Sequence, residues 1–210
     1  MDLILPIVTI IGIHLAAVAS PGPNFFISAK HGLSCSRPAG LSTTAGVATG
    51  TLIHIILGFL GLSALVTQSI WLYALLKYVG AIYLIYLGTK ALLAKSKKPD
   101  WDGLQLGQSA PMSPELAYRI GLLTCLTNPK AALYFFALFT SVISANTPLA
   151  IKLTLVVLLP IISWLWYSLV ALSFSLRQFK QWYGRFYGWI ETIFGVLLIG
   201  LGLKIALSQK

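Results

Sequence analysis

Acidic side chains are scarce in this chain: five aspartates and glutamates stand against 15 lysines and arginines in 210 residues. Asp2 lies at the start and Asp100, Asp102 and Glu115 share one polar stretch, so Glu191 is the one acid inside an apolar segment. No pair of carboxylates is left there for acid–base work. Cysteine is rarer still. Cys35 and Cys125 both fall towards the cytoplasmic side of the topology read below, so neither a disulfide nor a metal site is expected. With His14 and His54 in separate apolar runs, no nucleophile sits with its base and no ligand cluster forms. An intramembrane enzyme is not supported, and no cofactor is implied. Charge of either sign amounts to only 10% of the residues, whereas 57% are hydrophobic and mean hydropathy is +0.84. Such a composition belongs to a polytopic membrane protein.

A spanning helix needs about 20 mostly apolar residues. The hydrophobic pattern predicts an all-α protein of six spans, over residues 3–33, 39–67, 72–93, 115–146, 149–176 and 186–207. Ala17-Val18-Ala19 looks like a signal cleavage site, but the basic start is missing and Asp2 stands there instead; residues 1–20 are read as a retained helix. The net charge of +10 is topological. Lys30, Arg37, Lys90, Lys95, Lys97, Lys98, Arg119, Arg177, Lys180 and Arg185 all fall at the first, third and fifth loops, whereas Lys77, Lys152, Lys204 and Lys210 lie on the other side. The odd loops are therefore expected in the cytoplasm with both termini outside, and no nucleic-acid partner is implied.

Loop three, KSKKPDWDGLQLGQSAPMSPE, is the one long polar connector; it divides the chain into residues 1–94 and 115–210, joined by a cytoplasmic connector, 95–114. Ser113-Pro114-Glu115 reads as a helix start, with a capping hydroxyl, proline in the first turn and an acid near the positive end of the dipole. A shift of 114 residues sets LIYLGTKALL (84–93) on LIGLGLKIAL (198–207), so span three echoes span six. Three spans per half is an odd number. The halves must then enter the bilayer from opposite sides, as inverted repeats.

Each half opens on a helix interrupted by proline. Ala19-Ser20-Pro21-Gly22-Pro23-Asn24 breaks span one, and Thr127-Asn128-Pro129-Lys130 breaks span four in a matching place if a gap of six is allowed. These spans run to about 31 residues, about 46 Å of helix against a hydrocarbon core of about 30 Å, which leaves length for a break. Proline removes a backbone donor and crowds the preceding turn, leaving amides and carbonyls without helical partners. Such groups must face protein, water or a solute. A single interruption is well explained as a packing kink. Two, each flanked by polar side chains among Ser20, Asn24, Thr127, Asn128 and Lys130, point instead to a central transport site in which half-helix N-termini hold an anionic group.

The stretches SPGPNFFISAKHGLSCSRPAGLSTTAGVATG, LKYVGAIYLIYLGTKALL and LLTCLTNPKAALYFFALF resemble the LysE/RhtB superfamily of amino-acid exporters, above all its homoserine/threonine efflux branch, over nearly the whole chain. The resemblance implies export of amino acids or close derivatives from the bacterial cytoplasm, driven by the proton-motive force. Its motif positions fall here on Pro21, Gly22, Pro23 and Asn24, and on Asn128, Pro129 and Lys130.

Lys130 lies well inside span four by helical rise, where a lysine is costly. It either holds the substrate carboxylate or snorkels to the interface. His14, His54 and Glu191 are the proton-coupling candidates. For the two histidines an ordinary buried hydrogen bond is the alternative, and for Glu191 an interfacial pair with Arg177, Lys180 or Arg185. Trp71, Tyr73, Trp182, Tyr183 and Trp189 read as interface anchors. Gly46 and Gly50 form a G-x-x-x-G that suits a contact within the chain better than a dimer seam, although a homo-oligomer stays open. The expected mechanism is alternating access, with amides at the two breaks and Lys130 holding a zwitterion while protons move inward. Scarcity of buried acid favours a neutral hydroxylated cargo such as threonine or homoserine over lysine. A passive channel, or a subunit that only packs against partners, is the competing reading.

Overall fold

A computed structural model describes residues 4–68, 70–96, 112–142, 147–174 and 176–207. Asp2, Lys97, Lys98, Asp100, Asp102 and Lys210, which entered the charge and connector arguments, lie outside the described residues, as does the end of expected span four at 143–146. The described residues form α1 (Ile4–Ala19), α2 (Pro23–Ser34), α3 (Arg37–Gln68), α4 (Ile70–Ala94), α5 (Pro114–Thr127), α6 (Pro129–Val142), α7 (Leu149–Ser173) and α8 (Arg177–Leu207), with no strand among them.

Both expected interruptions are present, and they are alike. α1 meets α2, and α5 meets α6, at a bend of 56° in each case. Three helices, α3, α7 and α8, have the length and hydropathy to cross a bilayer alone; counting each bent pair as one more gives up to five spans. The chain is therefore a multi-pass membrane protein. α4, 25 residues long, is the further candidate, since at 1.5 Å per residue it reaches about 37 Å. Ser113 caps α5 as expected, its hydroxyl accepting from the Leu116 amide at 3.2 Å with Pro114 behind it. Glu115 pairs with Arg119 on the exposed face of the same helix.

One boundary differs by more than two turns. Span six was expected from residue 186, but α8 begins at Arg177, because the basic and aromatic segment before the membrane carries no helix breaker and simply continues the helix. Its consequence is positional. Glu191 lies about four turns inside the helix instead of at its end, and Tyr183, expected as an interface anchor, is fully buried. Trp71, Trp182 and Trp189 are exposed as expected of anchors, while the Tyr73 side chain lies outside the described residues.

Small residues set the closest helix contacts. Gly46 and Gly50 of α3 lie on Tyr118, Leu122 and Cys125 of α5, so the G-x-x-x-G is a seam within the chain. Rising numbers meet rising numbers there, and α3 and α5 run parallel. α4 and α8 run antiparallel, with a register that bears on the internal similarity. A Cβ on Gly88 would meet the Gly195 carbonyl oxygen at 2.6 Å and Ile199 Cγ1 at 2.7 Å. A Cβ on Gly202 would meet the Ala81 carbonyl oxygen and Ile85 Cγ1, each at 2.8 Å. Adding 114 to 88, 81 and 85 gives 202, 195 and 199, the offset read from the sequence. The contacts of Gly88 and of Gly202 thus correspond at that offset.

Two apolar clusters lie at different levels of the bundle. One gathers Ile10, Tyr134, Phe135, Leu138, Phe139 and Leu159 with residues of α4 and α8. The other gathers Phe25, Val47, Tyr167, Val170, Phe174 and Tyr183. The two breaks lie between them.

Candidate functional site

The backbone explains how the breaks form. Ser20 donates the last helical bond of α1 to Ala16 at 3.0 Å; Pro21 has no amide to continue it. Gly22, extended at φ −173° and ψ −175°, is the N-cap of α2 with Pro23 in its first turn, and Phe26 donates back to the Gly22 carbonyl at 2.9 Å. In the second break Asn128 takes the capping place. Its Oδ1 accepts from the Lys130 amide at 3.0 Å, and its carbonyl accepts from the Ala132 amide at 3.1 Å. The structural counterpart of Pro129 is therefore Pro23, which shares its place at a half-helix start, and not Pro21 as a gap of six would have it.

A proline at residue i withholds the hydrogen bond due to the carbonyl at i−4. Pro23 leaves the Ala19 carbonyl so, and Pro129 that of Cys125, which keeps only a tighter-turn bond from the Asn128 amide at 3.2 Å. A distant side chain serves each of them. Tyr183 donates its hydroxyl to Ala19 O at 2.6 Å, and His54 donates Nε2–H to Cys125 O at 3.0 Å. His54 also stacks on Phe135, with centroids 5.8 Å apart, and does not line the cavity described below. Its position is that of a carbonyl cap.

The two breaks touch. Asn128 Nδ2 donates to Asn24 Oδ1 at 3.1 Å, both residues being buried. Lys130 turns inward across the first break, where Nζ donates to the Ser20 carbonyl at 3.0 Å, to Ser20 Oγ at 3.0 Å and to the Pro21 carbonyl at 3.4 Å. The ammonium stands 4.3 Å from the centroid of the Phe194 ring. Ser20 Oγ in turn donates to Glu191 Oε1 at 2.7 Å. Glu191 thus reaches inward to the break, and not outward to Lys180 or Arg185, because α8 starts earlier than the hydrophobic run suggests. Among the described residues it is the one acid that is buried.

These groups border a half-open cavity whose empty space, about 430 Å³, includes the open solvent at its mouth. Ser20, Gly22, Asn24, Asn128, Lys130 and His14 line it. Thr127 and Pro129 do not: both are exposed, and Thr127 spends its hydroxyl on the Leu123 carbonyl at 2.8 Å. Pro21 and Pro23 shape the break without facing the cavity. The expectation of bare amides is also modified, since the Lys130 amide is already taken by Asn128. The lining also includes residues that the sequence had not singled out: Thr51, Ser163, Tyr134 and Tyr167. His14 is fixed among them, its Nε2 at 3.1 Å from the Leu159 carbonyl and 3.0 Å from Ser163 Oγ, and its Nδ1 at 3.3 Å from Tyr134 OH. Ser163 and Thr51 were legible only as hydroxyls in otherwise apolar runs, a weak signal where such groups often bond their own helix.

Comparison with known proteins gives this arrangement a family. The model of the LysE type translocator family matches residues 15–209. The chain belongs to that family. LysE-type translocators are transporters and not enzymes. A threonine efflux protein of Escherichia coli (strain K12) is 30% identical over 207 residues, covering 96% of this chain and 97% of its own. A threonine efflux protein of Salmonella typhi is 29% identical over 205 residues, with the same coverage. A leucine efflux protein of Klebsiella pneumoniae is 30% identical over 193 residues, covering 90% of this chain and 89% of its own. No solved structure matches the LysE-type chain.

Proposed function

We propose that this translocator exports neutral amino acids, with threonine or homoserine favoured, from the cytoplasm across the bacterial inner membrane by alternating access coupled to inward proton movement. The observation that carries the reading is the single cavity bordered by both breaks, with Lys130 on its wall and an apolar cluster at each level beyond it. A substrate carboxylate displaces the longest of the three Lys130 contacts, that to Pro21, and the substrate's side chain faces Thr51 and Ser163. The relatives' names, threonine efflux and leucine efflux, agree with a small neutral cargo. The proton is assigned to His14, the imidazole on the cavity wall. Residues 1–94 and 115–210 form two inverted three-span repeats around the cytoplasmic connector 95–114, with α4 as the third span; the self-matching α4–α8 seam and the equal bends support this arrangement.

Purified protein in liposomes preloaded with threonine is expected to show saturable counterflow of labelled threonine, and accumulation of threonine against its gradient in whichever compartment is made acidic. Flux that rises linearly with concentration and ignores the pH gradient would instead support a passive channel. Topology is tested separately. Cys35 is half-buried at the α2–α3 turn and Cys125 is buried, both as free thiols. A membrane-impermeant maleimide is expected to label Cys35 in inside-out vesicles and not in intact cells, which places the first loop in the cytoplasm; labelling in intact cells would reverse both termini.

A further inference from the structure

Ser20 Oγ stands between two opposite charges that no direct ion pair joins. It accepts from Lys130 Nζ at 3.0 Å and donates to Glu191 Oε1 at 2.7 Å. Lys130 and Ser20 line the cavity, whereas Glu191, 5% exposed, stands behind Ser20 and does not. Of the other titratable side chains around the cavity, His14 and Tyr134 are hydrogen-bonded to each other, Tyr167 is a buried phenol, and Cys125 accepts from Asn24 at 3.5 Å. Tyr183 and Tyr187 lie on the Glu191 helix below it, buried and without a charge to add at neutral pH. With His14 neutral, the cavity therefore holds one cation balanced by one anion.

We infer that Glu191, acting through Ser20, fixes the charge class of the cargo: it keeps the empty site neutral, so that a solute with no net charge is accepted and one carrying a net charge of either sign is refused. The physical reason is desolvation. At a half-open cavity between two apolar layers, an uncompensated charge is only partly solvated and is penalised, whether the protein or the cargo brings it. A zwitterion adds none. A cationic amino acid brings a charge that Glu191 cannot reach past Ser20 to balance, and an acidic one brings a carboxylate whose only cation is already matched. Glu191 is thus a specificity residue that never touches the cargo. This rests on the exporter reading above and adds to it the rule for which amino acids pass.

The test uses whole protein in liposomes with labelled threonine, lysine and aspartate. Wild type is expected to carry threonine and to discriminate against both charged amino acids by about 10-fold or more. Glu191→Gln keeps an oxygen for Ser20 but leaves Lys130 unmatched; the aspartate-to-threonine ratio of uptake rates is expected to rise about 10-fold, one decade of relative affinity. Glu191→Asp restores the charge and is expected to return the ratio towards wild type. A Glu191→Gln protein that melts as wild type does and keeps its threonine preference overturns the inference while leaving the exporter reading intact. Should Glu191→Gln not fold, wild type decides alone, since transport of lysine at the threonine rate contradicts a neutrality rule. A wild type that carries no amino acid removes the exporter reading and the inference together.

Discussion

Lys130→Met is expected to lower threonine counterflow by about 100-fold and to destabilise the protein by about 1–3 kcal/mol, the range for leaving buried hydrogen-bonding groups without their partner. Methionine fills much of the same space, so lost packing is a small part of the effect. What is lost is the only cation beside three oxygen acceptors, Ser20 O, Ser20 Oγ and Pro21 O, and the charge that balances Glu191. Glu191 is then a buried anion with a single hydroxyl donor. Combining Lys130→Met with Glu191→Gln removes both charges. This double variant is expected to regain more than half of the lost stability, because it leaves no orphaned charge, yet to remain inactive, because nothing holds a substrate carboxylate. Thermal unfolding in detergent and counterflow in liposomes read the two quantities separately. If Lys130→Met melts and transports as wild type does, the ammonium is not part of the site.

How much of this was legible in the sequence follows from the range over which each cause acts. The interruptions at Pro21-Gly22-Pro23 and Pro129 were readable because a missing amide breaks a helix wherever it occurs. That the broken turns would free backbone groups in need of other partners was readable for the same reason. Which side chains supply them was not: His54 is 71 residues from Cys125, and Tyr183 is 164 residues from Ala19. Nothing local in either residue announces its partner, so His54 stood open between proton coupling and an ordinary buried hydrogen bond, and Tyr183 read as an interfacial anchor. Glu191 was misplaced for another reason. Hydropathy marks where a span meets water and not where its helix begins, and α8 continues past that level through Trp182 and Arg185. Gly46 and Gly50 were legible as a close seam, whose partner only the fold could name. The 114-residue offset between 84–93 and 198–207, weak as a string of apolar matches, recurs as contact geometry at Gly88 and Gly202.

Gly32→Ala, the addition of one methyl group, is expected to cost about 3 kcal/mol, the upper part of the range for overpacking, and to lower the thermal transition accordingly. A Cβ at Gly32 falls on the carbonyl oxygen of Ala171 in α7, and the same glycine's Cα lies 3.0 Å from where a Cβ on Gly40 of α3 would stand. Three helices thus meet backbone to backbone, and no flexible side chain is present to give way. The control is Gly12→Ala, where nothing lies within 4 Å and the position is exposed; there the gain in helix propensity, up to about 1 kcal/mol, should leave stability unchanged or raised. Equal melting of the two variants would mean that α2 and α7 are not in contact at Gly32. Function sharpens the comparison. α2 carries Asn24 to the cavity and Phe25 to the buried aromatic cluster with Phe174, so its junction with α7 holds one side of the site in register. A Gly32→Ala protein rescued for folding by low temperature should therefore still transport poorly, whereas Gly12→Ala, on the outer face of α1, should transport as wild type does.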